Sequence, residues 1–179
     1  MSVRTSSLAG VLPILAGLAL LFSLLSSCST VPVHDSQQAD ALVAAGDYAG
    51  ALQEYNRAIN LNPRQAQAYL GRGYVYEKMG NYEKALEDYS AYVRLQPKDP
   101  QGYLIRGMLL EILGRNSLAL TDYDSAIGLA PSNASAYYYR GSLFEKQGNT
   151  QAAIADFRAA ARLGQKNAQN KLNSMGVVW

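Results

Sequence analysis

Among its 179 residues the chain has one cysteine, one histidine and one tryptophan. A single cysteine excludes an internal disulfide, so stability has to come from packing. The one histidine, His34, has no second metal ligand or nucleophile grouped with it, and it reads as a solvated linker residue, not a catalytic base. Charge of one sign is lacking as well. The 16 basic and 14 acidic residues leave a net of +2, and the two signs alternate along the chain as on a solvated face, which gives no footprint for nucleic acid. There is no glycine-rich phosphate loop and no metal-ligand cluster, and the serines have no neighbouring base. The sequence therefore offers no catalytic centre and calls for no cofactor.

Long apolar runs are confined to Leu8 to Leu25, which Pro13 interrupts. With Arg4 before it and small residues after it, this run has the three-part plan of a secretory signal peptide over residues 1–27, a segment excluded from fold reasoning. The run is also just long enough to span a bilayer, so a single-span anchor with an incidental cysteine is the alternative. Residues 28–34 contain Pro32 and polar neighbours without periodicity, and read as a tether.

What the sequence has in abundance is repetition. Of Tyr69, Gly73, Tyr76, Gly80, Tyr82, Ala85, Tyr89, Leu95 and Pro97, all but Tyr82 have an equivalent 34 residues later, as Tyr103, Gly107, Leu110, Gly114, Ala119, Tyr123, Leu129 and Pro131. The same step backwards gives Gly46, Tyr48, Ala51, Tyr55, Leu61 and Pro63, and a second step forwards gives Tyr137, Gly141, Phe144, Gly148, Ala153, Phe157 and Leu163. A fixed period of this length marks a repeat array. Nine of the 13 tyrosines fall on these positions and are read as structural.

Within each unit, small and apolar residues recur at the three-to-four spacing of one helix face, so the unit is a hairpin of two short amphipathic helices. Gly80 with Asn81 supplies the turn, and Pro97 ends the second helix. Gly73 and Ala85 remove bulk where the helices should cross. Helices are expected at 35–45, 48–61, 66–79, 82–95, 100–113, 116–129, 134–147 and 150–163. A ninth at 166–175 should cover the last repeat with Ala168, Leu172 and Met175 while Gln169, Asn170, Lys171 and Asn173 face water. The Val177-Val178-Trp179 tail is expected to fold back on that cap, with bait for a partner as the alternative.

On these residues the chain resembles the tetratricopeptide repeat family over four units. The resemblance implies an all-α fold: a right-handed superhelical array of four helical hairpins over residues 35–165, with a capping helix and tail at 166–179. The sequence departs from the pattern at Ala39, where other units have glycine, at Tyr92, where they have Ala58, Ala126 and Ala160, and at Gln165, where they have proline. Tyr92 leaves the geometry of the local crossing open.

Leu25-Ser26-Ser27-Cys28 resembles the lipobox of bacterial lipoproteins. That resemblance implies lipidation of Cys28, which becomes the mature N-terminus, and anchorage through several acyl chains. Ser29 after the cysteine, in place of aspartate, implies outer-membrane sorting facing the periplasm in a Gram-negative host.

Arg72, Arg106 and Arg140 recur beside the glycines, and Glu54, Asp88, Asp122 and Asp156 recur in the second helices. They read as structural ion pairs joining neighbouring repeats, with Asp88 expected nearer Arg106 than Arg72; a ligand-binding arginine ladder is the alternative.

In the resembled family, ligands lie in the concave groove of the first helices. Carried over position by position, the groove comprises Leu70, Tyr74, Glu77 and Lys78, then Leu104, Met108, Glu111 and Ile112, then Tyr138, Ser142, Glu145 and Lys146. The lysine, arginine and asparagine set that clamps a chaperone's C-terminal carboxylate is lacking. The glutamates are spaced too widely for paired-carboxylate glycoside chemistry. The expectation is a non-enzymatic, membrane-tethered adaptor of the bacterial cell envelope that binds another protein or peptide in this groove. The alternative is an assembly or pilotin-like factor for outer-membrane pilus or secretion machinery.

Overall fold

The computed structural model describes residues 34–179. The expected leader, Cys28 and all of the expected tether except His34 lie outside the described residues. Among the described residues there are nine helices: α1 His34–Ala44, α2 Tyr48–Leu61, α3 Ala66–Lys78, α4 Tyr82–Leu95, α5 Pro100–Ile112, α6 Asn116–Leu129, α7 Ala134–Lys146, α8 Thr150–Arg162 and α9 Lys166–Ser174. The sequence-based bounds hold to within one residue, and His34, assigned above to the tether, opens α1.

The local reasons for these bounds are those visible in the sequence. Gly46, Gly80, Gly114 and Gly148 take φ of 72–80° between the helices of each hairpin, a left-handed conformation that costs glycine nothing and other residues more. Asp47 and Asp99 cap α2 and α5, their carboxylates accepting from the backbone N–H of Gly50 at 2.9 Å and Gln101 at 3.0 Å. Pro100 occupies the first turn of α5, where its missing N–H is not needed.

Consecutive helices pack antiparallel into a superhelical array. The core is a seam, not a central globule. Tyr55, Tyr89, Tyr123 and Phe157 are almost wholly buried, one per repeat, beside Ala51, Ala85, Ala119 and Ala153. The small positions do what crossing helices require: a methyl group on Gly73 would lie 2.7 Å from the Tyr89 ring, and one on Gly107 2.8 Å from Tyr123. Each buried ring contributes about 3–5 kcal/mol by the measure of truncation to alanine.

Tyr92 does not disturb its crossing. A methyl group on Gly102 would stand 2.7 Å from the Tyr92 ring, so the enlarged residue is matched by an emptied one. Ala58 faces Ala68 and Ala126 faces Ala136 at the corresponding places, all buried. The Tyr92 hydroxyl donates to Asp99, and burial with that bond pushes its pKa up to about 12.

The ion pairs differ from the expectation. Arg72, Arg106 and Arg140 each form a bidentate pair within their own repeat, to Asp88, Asp122 and Asp156, at 2.7–2.8 Å. Arg72 and Asp88 stand at equal distances either side of Gly80, so folding the hairpin about its turn brings them together. Asp88 also faces inward beside Gly73. The tie between repeats runs the other way, from Arg72 Nη1 back to Asn56 at 2.6 Å and from Arg140 Nη1 back to Asp124 at 2.5 Å. The arginines also lie over Tyr69, Tyr103 and Tyr137 at 5.7–5.8 Å. Thus occupied, they hold hairpins together and do not form a ligand ladder. In the first repeat Gln38 replaces the arginine, and Glu54 keeps a buried carboxylate oxygen with no partner among the described residues.

Not every repeat-defining position is buried. Leu61 and Leu129, the last residues of α2 and α6, and Leu163, which follows α8, are exposed. Tyr82, the first residue of α4, is exposed as well. On the cap, Ala168 and Leu172 are buried as expected, but Lys171 reaches Glu145 at 2.8 Å and Gln169 donates to the Ala161 carbonyl at 3.2 Å, so neither simply faces water. The tail folds back: Val177 packs on the last core cluster, and the Trp179 indole donates to Asn173 at 3.1 Å.

Candidate functional site

The first helices of the hairpins, α1, α3, α5 and α7, form the concave face, and the register of the repeat decides which side chains reach it. Two hollows occupy this face. The first, about 530 Å³, lies against α1, α3 and α5 and includes Leu70, Tyr74, Glu77, Met108 and Ile112. The second, about 500 Å³, lies against α5, α7 and the cap and includes Met108, Glu111, Ile112, Tyr138, Ser142, Glu145 and Lys146. Met108 and Ile112 border both, so the two hollows form one groove. Tyr74 and Ile112 are 42% and 57% exposed, large apolar surfaces left open to a partner.

Two of the expected residues lie elsewhere. Leu104 is only 4% exposed and packs in the core with Leu110, Ala119 and Tyr123, because α7 closes over it. Lys78 borders neither hollow; its ammonium lies over the Tyr74 ring at 5.1 Å. Sequence reasoning missed Ser36, Asp40 and Val43 of the first repeat, which occupy the same repeat positions as Leu70, Tyr74 and Glu77. It also missed Gly71, Ile105 and Tyr139, which are one repeat position in three successive units. The 34-residue step was the signal that would have found both sets.

The glutamates of the groove, Glu77, Glu111 and Glu145, each have a partner. The Tyr89 hydroxyl donates to Glu77 at 2.7 Å and Tyr123 to Glu111 at 3.0 Å. Burial, with the glutamates' charge and hydrogen bonds, holds both hydroxyls far above the ordinary tyrosine range. In the fourth repeat Phe157 has no hydroxyl to give, and Glu145 takes Lys171 instead. In the first repeat Val43 stands where the glutamate would be, so Tyr55 turns across to Asp40. That path crosses position 71, where a methyl group would meet the Tyr55 ring at 2.4 Å, and only glycine leaves room. Val43, Asp40, Tyr55 and Gly71 are therefore one connected departure from the repeat, and together they shape the first hollow.

Chemically, the groove offers apolar contact, aromatic faces and pinned carboxylates. Among the described residues no group of His, Cys, Asp and Glu is placed to hold a metal, and no helix is long and apolar enough to cross a membrane.

With the array and groove in view, the class is defined. The tetratricopeptide repeat model matches residues 36–100 and 106–168, more than half of the chain, and the chain belongs to that family. Such proteins are typically non-catalytic interaction scaffolds. Among solved structures, a double mutant of MamA RS-1 is 22% identical, with a TM-score of 0.70 over 84% of this chain and 86% of that one. MamA from Desulfovibrio magneticus RS-1 is 22% identical, with a TM-score of 0.68 over 74% and 75%. YrrB, described as a TPR protein with an unusual peptide-binding site, is 22% identical, with a TM-score of 0.66 over 82% and 75%. These likenesses concern the fold. No curated protein matched the sequence.

Proposed function

We propose that this chain is a lipid-anchored adaptor of the bacterial cell envelope that captures another protein, through an exposed peptide segment, in its concave groove. The observation that carries the reading is the continuous apolar groove from Leu70 and Tyr74 to Tyr138, open to solvent while the rings behind it are packed away. Aromatic and methionine side chains that line a groove, as Tyr74, Met108 and Tyr138 do, supply anchoring energy at interfaces. YrrB, which shares the fold, is described as having a peptide-binding site, and that supports a peptide as the ligand. The anchor rests on Leu25-Ser26-Ser27-Cys28 and the outer-membrane location on Ser29.

Two experiments test the two parts. Changing Tyr74, Met108 and Tyr138 together to Ser should weaken partner capture from solubilised envelope while helical content and melting stay close to the parent. Full capture by a normally folded triple variant defeats the groove reading. Cys28→Ala should abolish labelling by a fatty-acid probe and release the protein, and unchanged labelling defeats the anchor.

A further inference from the structure

The two ends of the groove carry the same carboxylates in opposite electrical settings. At the cap end, Glu111 is bridged by Lys146 at 2.5 Å and Glu145 by Lys171 at 2.8 Å, so each acid has its own cation. At the α1 end, Asp40 and Glu77 border the hollow, and none of the described residues lining it is a lysine or arginine. Lys78 is not among the lining residues, and its ammonium lies over the Tyr74 ring at 5.1 Å. The partners of Asp40 and Glu77 are the neutral hydroxyls of Tyr55 and Tyr89, which fix the carboxylates without discharging them. A hydroxyl takes one acceptor site of a carboxylate that has about four, so both acids can accept from a ligand as well. Between them lies an apolar floor of Val43, Leu70, Ile105 and Met108.

Resting on the peptide-capture reading above, we propose that the α1 end of the groove selects a segment of the partner protein in which an aliphatic or aromatic side chain stands beside a lysine or arginine. The apolar side chain enters the hollow that Gly71 keeps open, and the cation meets Asp40 and Glu77. The field of two fixed carboxylates disfavours an acidic segment or a bound C-terminal carboxylate, because like charges brought together are repelled.

The test is selection of a random-peptide phage library against the full-length protein in lipid nanodiscs, followed by fluorescence anisotropy with the most enriched peptide. The expected sequences pair Leu, Ile, Met or Phe with a nearby Lys or Arg and are depleted of Asp and Glu. Asp40→Asn and Glu77→Gln, which keep shape and one acceptor, should each weaken that peptide by about fivefold and flatten its salt dependence. Glu83→Gln, at the start of α4 and bridged to Arg115, should leave affinity unchanged. Enrichment of uncharged or acidic peptides, no enrichment at all, or indifference to both carboxylate variants overturns the proposal. If such peptides still require Tyr74, Met108 and Tyr138, the peptide-capture reading survives that loss. If they bind the triple Ser variant normally, both fall.

Discussion

The α1 end and the cap end of the concave face are built from the same repeat positions, yet they differ in shape and charge. At the α1 end, position 71 is glycine, the carboxylates have hydroxyl partners and the hollow is apolar. At the cap end, the same position is Tyr139, whose ring lies 6.3 Å from that of Tyr123 and 5.6 Å from that of Tyr138, and lysines cover the glutamates. The difference teaches that a repeat array acquires a site through compensated substitutions. Val43 removes an acceptor, Asp40 replaces it and Gly71 makes the path possible; at the other end Phe157 removes a donor and Lys171 takes its place.

The largest expected effect separates what the ends share from what they do not. Tyr89→Ala and Phe157→Ala should each cost about 3–5 kcal/mol, because both rings are buried at equivalent core positions. Only Tyr89→Ala should also remove a wall of the α1-end hollow. Urea denaturation and peptide binding at a temperature where both variants are folded measure the two consequences. Equal loss of binding from both would erase the distinction.

Gly71→Ile imports the residue of the next repeat at this position. Its Cβ would lie 2.4 Å from the Tyr55 ring, so it should cost about 1–3 kcal/mol through overpacking and close the hollow. A thermal midpoint unchanged from the parent would show that Tyr55 moves aside freely.

The matched pair Tyr92 and Gly102 makes a third test, at the junction between the ends. Gly102→Ala should destabilise the parent but be tolerated once Tyr92→Ala is present, since the double variant restores the pairing seen at Ala58 and Ala68. A double-mutant cycle should give a coupling of about 1 kcal/mol or more. Strict additivity would break the account.

The smallest effect concerns the first repeat alone. Gln38→Arg supplies the guanidinium its hairpin lacks, facing the buried carboxylate oxygen of Glu54, and should stabilise by about 1 kcal/mol. A fall in the denaturation midpoint would mean that Glu54 is not aligned as Asp88, Asp122 and Asp156 are.

Much of this molecule was legible before any coordinates. The 34-residue step, the glycines at 46, 80, 114 and 148 and the three-to-four spacing determined nine helices and their bounds, because turn conformation and amphipathic periodicity are local properties that a short stretch of sequence encodes. The same step located the concave positions. Tertiary structure alone decided which of them are open: Leu104 and Tyr138 share one repeat position, yet Leu104 is sealed in the core while Tyr138 borders the groove. It also decided that the arginines face their own hairpins, that Gly102 absorbs Tyr92 and that Gly71 exists for Tyr55. A repeat position fixes where a side chain starts and which way its helix face points. Whether it ends in contact, in a hydrogen bond or in solvent depends on the sizes of side chains from two or three other helices, and no single unit of the sequence contains them.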